Sequence, residues 1–151
     1  MNKSMFFALM LAGIGAFLGP CTAQAQQNTR WEHQVKTQLK EAALALDVLS
    51  EGDVEEAYRP YIGNLRYNQY QDVTYRLTEG VTYVIVGACD EDCPDLDLKL
   101  FHGGELVKQD TAPDATPTIV FRPAWTGNYT LRVIMAKCNK NPCWYGVGAY
   151  K

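Results

Sequence analysis

From about Leu65 to the C-terminus, apolar side chains recur at every second position, and this limits more than anything else what the chain can fold into. Val73, Tyr75 and Leu77 alternate with Thr74 and Arg76. Leu96, Leu98 and Leu100 alternate with Asp97 and Lys99, and Tyr129, Leu131, Val133 and Met135 form a third such run. Successive side chains of a strand point to opposite faces, so each run makes one apolar face and one wetter face. Val81 to Ala88 is β-rich and apolar on both faces, the pattern of a central strand. Thr118 to Arg122 and Trp144 to Tyr150 add further strands. Turn signals separate them: Glu79-Gly80, His102-Gly103-Gly104 with a return strand from Glu105 to Lys108, a loop with two prolines from Thr111 to Pro117, Pro123, and Trp125-Thr126-Gly127. Seven or eight short strands at near-regular spacing predict a mainly β domain, an antiparallel, jelly-roll-like β-sandwich.

Upstream the period changes. Trp31, Val35, Leu39, Ala42, Leu46 and Leu49 recur in steps of three and four, which predicts one amphipathic N-terminal helix over 29–51. Thr29 with Glu32 makes a capping box, and Gly52 is a natural C-terminal stop. Asp53 with Glu56 offers a second short helical turn, which Pro60 and Gly63 end. The expected organisation is a helix and connecting segment over 26–64 and a disulfide-linked sandwich over 65–151. The helix stripe packs on the sandwich or its edge, or pairs with another chain.

The first 25 residues read as a cleavable signal peptide. Lys3 supplies the positive n-region, Met5 to Leu18 the apolar stretch, and Ala23-Gln24-Ala25 the small-x-small cleavage pattern before Gln26. The apolar stretch is short for a bilayer span. Pro20 before Cys21 is a poor fit to a lipidation site. The mature chain is then exported, to the periplasm or beyond, with no membrane span left. It has lost one Lys and no acid, so the net charge of −3 becomes −4. That argues against a nucleic-acid partner, which would call for a basic stripe.

Four cysteines remain: Cys89, Cys93, Cys138 and Cys143. An even number in an exported chain points to two disulfides, with three connectivities open. Loop-closure entropy gives a short local ring about 2 kcal/mol and a link across some fifty residues about 4, so energy alone favours a cross-link. The spacings C-x3-C and C-x4-C are not those of a zinc ribbon.

The run Tyr75-Arg76-Leu77-Thr78-Glu79-Gly80-Val81-Thr82-Tyr83, the strand Asp95-Leu96-Asp97-Leu98-Lys99-Leu100-Phe101, the Gly103-Gly104 turn and Thr126-Gly127-Asn128-Tyr129-Thr130-Leu131-Arg132-Val133 resemble the bacterial pre-peptidase C-terminal domain. That domain is a β-sandwich appended to many secreted enzymes. The resemblance covers Val73 to Tyr150 and implies an accessory module that binds, solubilises or helps secretion. It tips the cysteines toward the local pairs Cys89–Cys93 and Cys138–Cys143, although such pairs are not a general feature of the family. Related collagen-binding domains bind calcium. No catalytic domain accompanies the match in this sequence.

Three groups of residues are candidates for chemistry. Asp90, Asp92, Asp95 and Asp97, with Glu91, crowd a tight loop, and Asp110 on the return strand is a distant partner. Calcium takes several such oxygens, but the EF-hand glycine and distal glutamate are missing, and the plainer reading of the pattern is a solvated acidic turn. Tyr58, Tyr61, Tyr67 and Tyr70 cluster between the helix and the first clear strand, and Trp125 sits in a turn. Exposed aromatics stack on sugars or anchor proteins, and buried ones fill cores. Trp144, next to Cys143, is expected to pack against the disulfide. Catalysis has little to stand on. The mature chain has one serine, Ser50, and two histidines, His33 and His102, with no triad or metal spacing. The leading expectation is an exported, non-enzymatic binding or accessory module, calcium-stabilised and acting on a protein or polysaccharide surface, with no other cofactor. A structural protein assembling through its helix and a small hydrolase are the alternatives.

Overall fold

The computed structural model describes residues 21–45 and 55–151. One helix, α1 (Cys21–Leu44), precedes eight strands: β1 (Glu56–Leu65), β2 (Tyr70–Leu77), β3 (Tyr83–Cys89), β4 (Asp95–His102), β5 (Glu105–Asp110), β6 (Thr118–Phe121), β7 (Gly127–Lys137) and β8 (Cys143–Tyr150). They form two antiparallel four-stranded sheets in the orders β1-β8-β3-β6 and β2-β7-β4-β5. This strand order is that of a jelly roll, two interleaved Greek keys.

The alternation seen in the sequence fills the space between the sheets. Leu96, Leu98 and Leu100 from β4 and Tyr129, Leu131, Val133 and Met135 from β7 meet Ile85, Ile119, Tyr145, Val147 and Ala149 from the facing sheet. Each Leu, Ile, Val or Met among them removed from water is worth roughly 1.5–3 kcal/mol. The two-sided apolar run is β3, and it is central. Ile85 faces the sandwich core, while Val84, Val86 and Ala88 face outward and are buried with Val35, Leu39 and Ala43 of α1. The helix therefore lies on the outer face of the β1-β8-β3-β6 sheet, over β3 and β8. Gly146 makes the close approach possible. A Cβ there would collide with the Val35 side chain and come within 3.3 Å of Leu39. Two residues along the same strand, the Tyr150 ring folds back over Gly148, where a Cβ would lie 2.9 Å from its hydroxyl.

Several expectations are corrected. The segment assigned to a connection and a second helical turn is β1, so the sandwich begins at Glu56 and not at Leu65. Pro60 is tolerated because β1 is an edge strand paired only to β8, with register shifts between Glu56 and Tyr58 and between Tyr58 and Tyr61. The helix runs through Thr29 from Cys21, so Thr29 is not its N-cap, and Glu32 pairs instead with Lys36 one turn on, at 2.7 Å. Residues 1–20 of the predicted signal segment, and Leu46, Leu49, Ser50, Gly52 and Asp53, lie outside the described residues. No described helix is long and apolar enough to cross a membrane.

Both disulfides are local, Cys89–Cys93 and Cys138–Cys143. Their loops are clasped together by main-chain and side-chain bonds. The Asp90 N–H donates to the Trp144 carbonyl at 3.0 Å, and the Asn139 N–H donates to the Asp92 carbonyl at 2.8 Å. Trp144 does not pack on the Cys143 disulfide. Cys143 points into the core and its neighbour to the opposite face, where Trp144 borders Lys36, Arg59 and Ile62.

The helix seat can be tested by mutation. Gly146→Ala should cost about 1–3 kcal/mol in urea unfolding, the range for an overpacked site. In Gly146→Ala/Val35→Ala the cost of the glycine change should largely disappear, leaving a coupling energy outside the additive range of roughly 0.3–0.5 kcal/mol. Strict additivity would mean that α1 does not sit against β8.

Candidate functional site

The acidic residues do not converge. Asp90 is only 8% exposed, and its Oδ2 accepts the Trp144 N–H at 2.8 Å, which makes it part of the clasp. Burial pushes its carboxyl above the ordinary value, with the charges of Asp92 and Glu91 adding to the shift. Asp92 pairs with Lys140 at 3.3 Å. Asp95, Asp97 and Asp110 form a separate grouping. Burial, helped by the charges of Asp95 and Asp110, raises Asp97. Asp110 is engaged by the backbone on both oxygens, accepting the Ala112 N–H at 3.1 Å and the Thr118 N–H at 2.8 Å. Asp95 is buried, with Oδ1 unpartnered. Among the described residues, no group of three or more His, Cys, Asp or Glu side chains is placed to hold a metal ion.

The tyrosines also separate. On β1, Tyr58 packs against the core with its ring 5.1 Å from Tyr75, and its hydroxyl donates to the Arg76 carbonyl. Tyr61 lies half-exposed with its ring 6.2 Å from Tyr145. Tyr67 is exposed in the turn between β1 and β2. Tyr70 opens β2, on the other sheet, and is 57% exposed. Trp125 is 67% exposed and stacks on His102, whose ring in turn stacks on Tyr129 at 4.3 Å. His102 Nδ1 lies 3.1 Å from the Asn128 carbonyl, which can only accept, so this nitrogen carries the proton.

What the structure does assemble is the outer face of the β2-β7-β4-β5 sheet. Every second residue of these strands faces away from the core, and register brings them side by side. Asp72 lies opposite Arg132, Arg132 opposite Lys99, and Thr130 opposite Phe101. At the centre, Arg132 Nε and Nη2 donate to Asp72 Oδ1 and Oδ2, both at 2.8 Å, a bidentate fork-to-fork pair. The guanidinium lies 4.2 Å above the Tyr70 ring centroid and 5.5 Å from that of Phe101. Arg132 holds the Asp72 carboxyl below the usual carboxylate range by this hydrogen bonding, and Asp72 raises Arg132 in return. Beside the pair lies an open cleft of about 250 Å³ lined by Phe101, Gly103, Gly104, Thr130 and Arg132. Gly103 and Gly104 turn the β4–β5 hairpin at φ 59° and 87°, a conformation glycine adopts without steric cost. Reading the sequence selected Tyr70 but missed Asp72, Phe101, Thr130 and Arg132. The signal was their outward phase in each strand, and their meeting depends on register.

No protein-family model matches this chain, and no curated protein matches it in sequence. Among solved structures it is similar to the pre-peptidase C-terminal domain of a collagenase from Bacillus anthracis, at 16% identity and TM-score 0.49, over 60% of this chain and 87% of that one. This is the domain its motifs resemble. It is also similar to PliG of Aeromonas hydrophila, a periplasmic inhibitor of g-type lysozyme, at 12% identity and TM-score 0.40 over 67% of this chain and 90% of that one. A third likeness is the CBM36-1 domain of a multidomain xylanase from the hindgut metagenome of Trinervitermes trinervoides, at 17% identity and TM-score 0.34 over 64% and 86% of the two chains.

Two measurements test the acidic residues. The folded chain holds the Asp90 proton more tightly than the unfolded chain does. The stability from this group is thus complete below the ordinary value of 3.8 and is lost as pH climbs through the raised value. Asp90→Asn keeps an acceptor for Trp144 and does not titrate. Its melting temperature relative to the native protein should therefore rise from about pH 3.5 to about pH 7, and a flat difference would contradict the burial argument. Millimolar calcium and chelator should give the same melting temperature. A calcium-specific rise abolished by Asp95→Ala or Asp97→Ala would establish a metal site there.

Proposed function

We propose that this chain is an exported, non-enzymatic binding module, an accessory domain that docks on a polysaccharide or protein surface through the outer face of the β2-β7-β4-β5 sheet. The observation that carries this reading is the inequality of the two outer faces. One is covered by α1 over its central strands, β3 and β8. The other is open and carries an oriented Arg132–Asp72 pair between Tyr70 and Phe101. Binding sites combine apolar or aromatic surface with a few fixed polar groups in this way.

Export is supported by the N-terminal segment and by two disulfides, which persist in oxidising compartments. Cysteines tied in these bonds supply no thiolate nucleophile. His102 is committed to a stack and a backbone carbonyl. Along its described part, the helix stripe that would join chains in an assembly protein is occupied within the chain, since Val35, Leu39 and Ala43 are buried on β3 and β8. Light scattering should accordingly find a monomer.

The face assignment has its own test. The oxidised protein should be retained by a cell-envelope or polysaccharide fraction, and Tyr70→Ala should remove that retention without changing the melting temperature. Lys40→Ala, on the helix, should leave retention intact. Binding lost in the helix variant and kept in the sheet variant would overturn the reading.

A further inference from the structure

Resting on the binding-module reading, we infer that the cleft beside Arg132 receives a sugar ring, and that the ligand is a neutral polysaccharide. The one ionisable side chain lining the cleft is Arg132, and Asp72 already cancels it through two 2.8 Å hydrogen bonds. An anionic ligand would meet the Asp72 carboxylate as soon as it reached the guanidinium. A hydroxyl meets no such penalty, since it both donates and accepts. It can bond to the Arg132 Nη1 amino group, which makes no hydrogen bond among the described residues, or to the Thr130 hydroxyl at the cleft wall.

Shape and stacking agree with charge. Phe101 lines the cleft, and Tyr70 lies on the far side of the guanidinium. Aromatic faces take the C–H face of a sugar while the polar rim takes its hydroxyls. The Gly103–Gly104 wall is open, because a Cβ at either position would meet nothing within 4 Å. At about 250 Å³ the cleft is smaller than the roughly 300–1,000 Å³ of a drug-sized pocket, and it opens along the sheet. That suits one ring of a chain that continues past the site.

A protein partner is disfavoured by the rest of the face. Asp72, Asp97, Lys99, Arg132 and Arg76 stud it, and a tight protein interface would have to desolvate them, whereas interface centres are depleted of charge. Sugar recognition leaves the rim wet and uses these groups as hydrogen-bonding partners.

The test is affinity electrophoresis of the oxidised native protein through gels holding soluble neutral polysaccharides (β-glucan, xylan, mannan), with polygalacturonate and a salt series alongside. Amide NMR with oligosaccharides of whichever polymer retards the protein follows. The expected result is retardation by at least one neutral polymer, insensitive to salt, with shifts centred on Gly103, Gly104, Thr130 and Arg132. Arg132→Lys keeps the charge and loses the planar fork, and should weaken binding about tenfold or more. Asp72→Asn should do the same at unchanged melting temperature. If the arginine variant loses stability, the aspartate variant and the NMR shifts decide alone. Silence with every neutral polymer overturns the inference. Binding only to polygalacturonate, lost at high salt, or only to a protein from the envelope fraction, overturns it too, but leaves the binding-module reading standing if Tyr70→Ala still abolishes retention. Neutral-sugar binding that maps to the helix side overturns both.

Discussion

The burial of Val84, Val86 and Ala88 under α1 decides the character of this molecule. A jelly roll has two outer faces, and strand β3 is apolar on both of its own. Left uncovered, the β1-β8-β3-β6 sheet would show water a central apolar stripe, the kind of surface that drives association. Val35, Leu39 and Ala43 close it, and Gly146 lets the helix approach the sheet closely enough to do so. With the centre of that face covered, the opposite sheet is the one we propose to meet other molecules. Its outward positions are polar and aromatic, with only scattered apolar groups.

The clasp of two disulfide loops acts at the other end of the strands. Each disulfide is local and constrains its own loop. The link between loops comes from hydrogen bonds, above all the buried Asp90 carboxylate on the Trp144 N–H. The acidic loop that looked like a ligand cluster is thus largely structural. Asp90 ties two loops, Asp92 pairs with Lys140, and Asp110 caps a backbone turn. Carboxylates serve the main chain here because tight loops leave N–H groups without ladder partners, and an unpaired buried donor is costly.

Legibility in the sequence followed the range of the interaction. The strands from Tyr70 onward, their turns, the central place of β3 and the core of Leu96, Leu98, Leu100, Leu131 and Val133 could all be read, because period-two burial is written along one segment. Strand β1 could not, because Pro60 and Gly63 look like breakers and are acceptable only at a sheet edge, a fact of topology. Trp144 was misplaced by adjacency: one step along a strand reverses the face.

The proposed binding face shows the same division. Sequence alone determined that Asp72, Thr130, Arg132 and Phe101 alternate with core residues, since that phase is local and repeats every two residues. It also determined two closely spaced pairs of cysteines and an amphipathic helix. Tertiary structure decided that Arg132 meets Asp72 sixty residues away, that Tyr70 and Phe101 flank the guanidinium, and that the acidic residues separate. Those outcomes depend on which strands pair and in what register, and pairing is fixed by the packing of the whole sandwich rather than by any one stretch of chain.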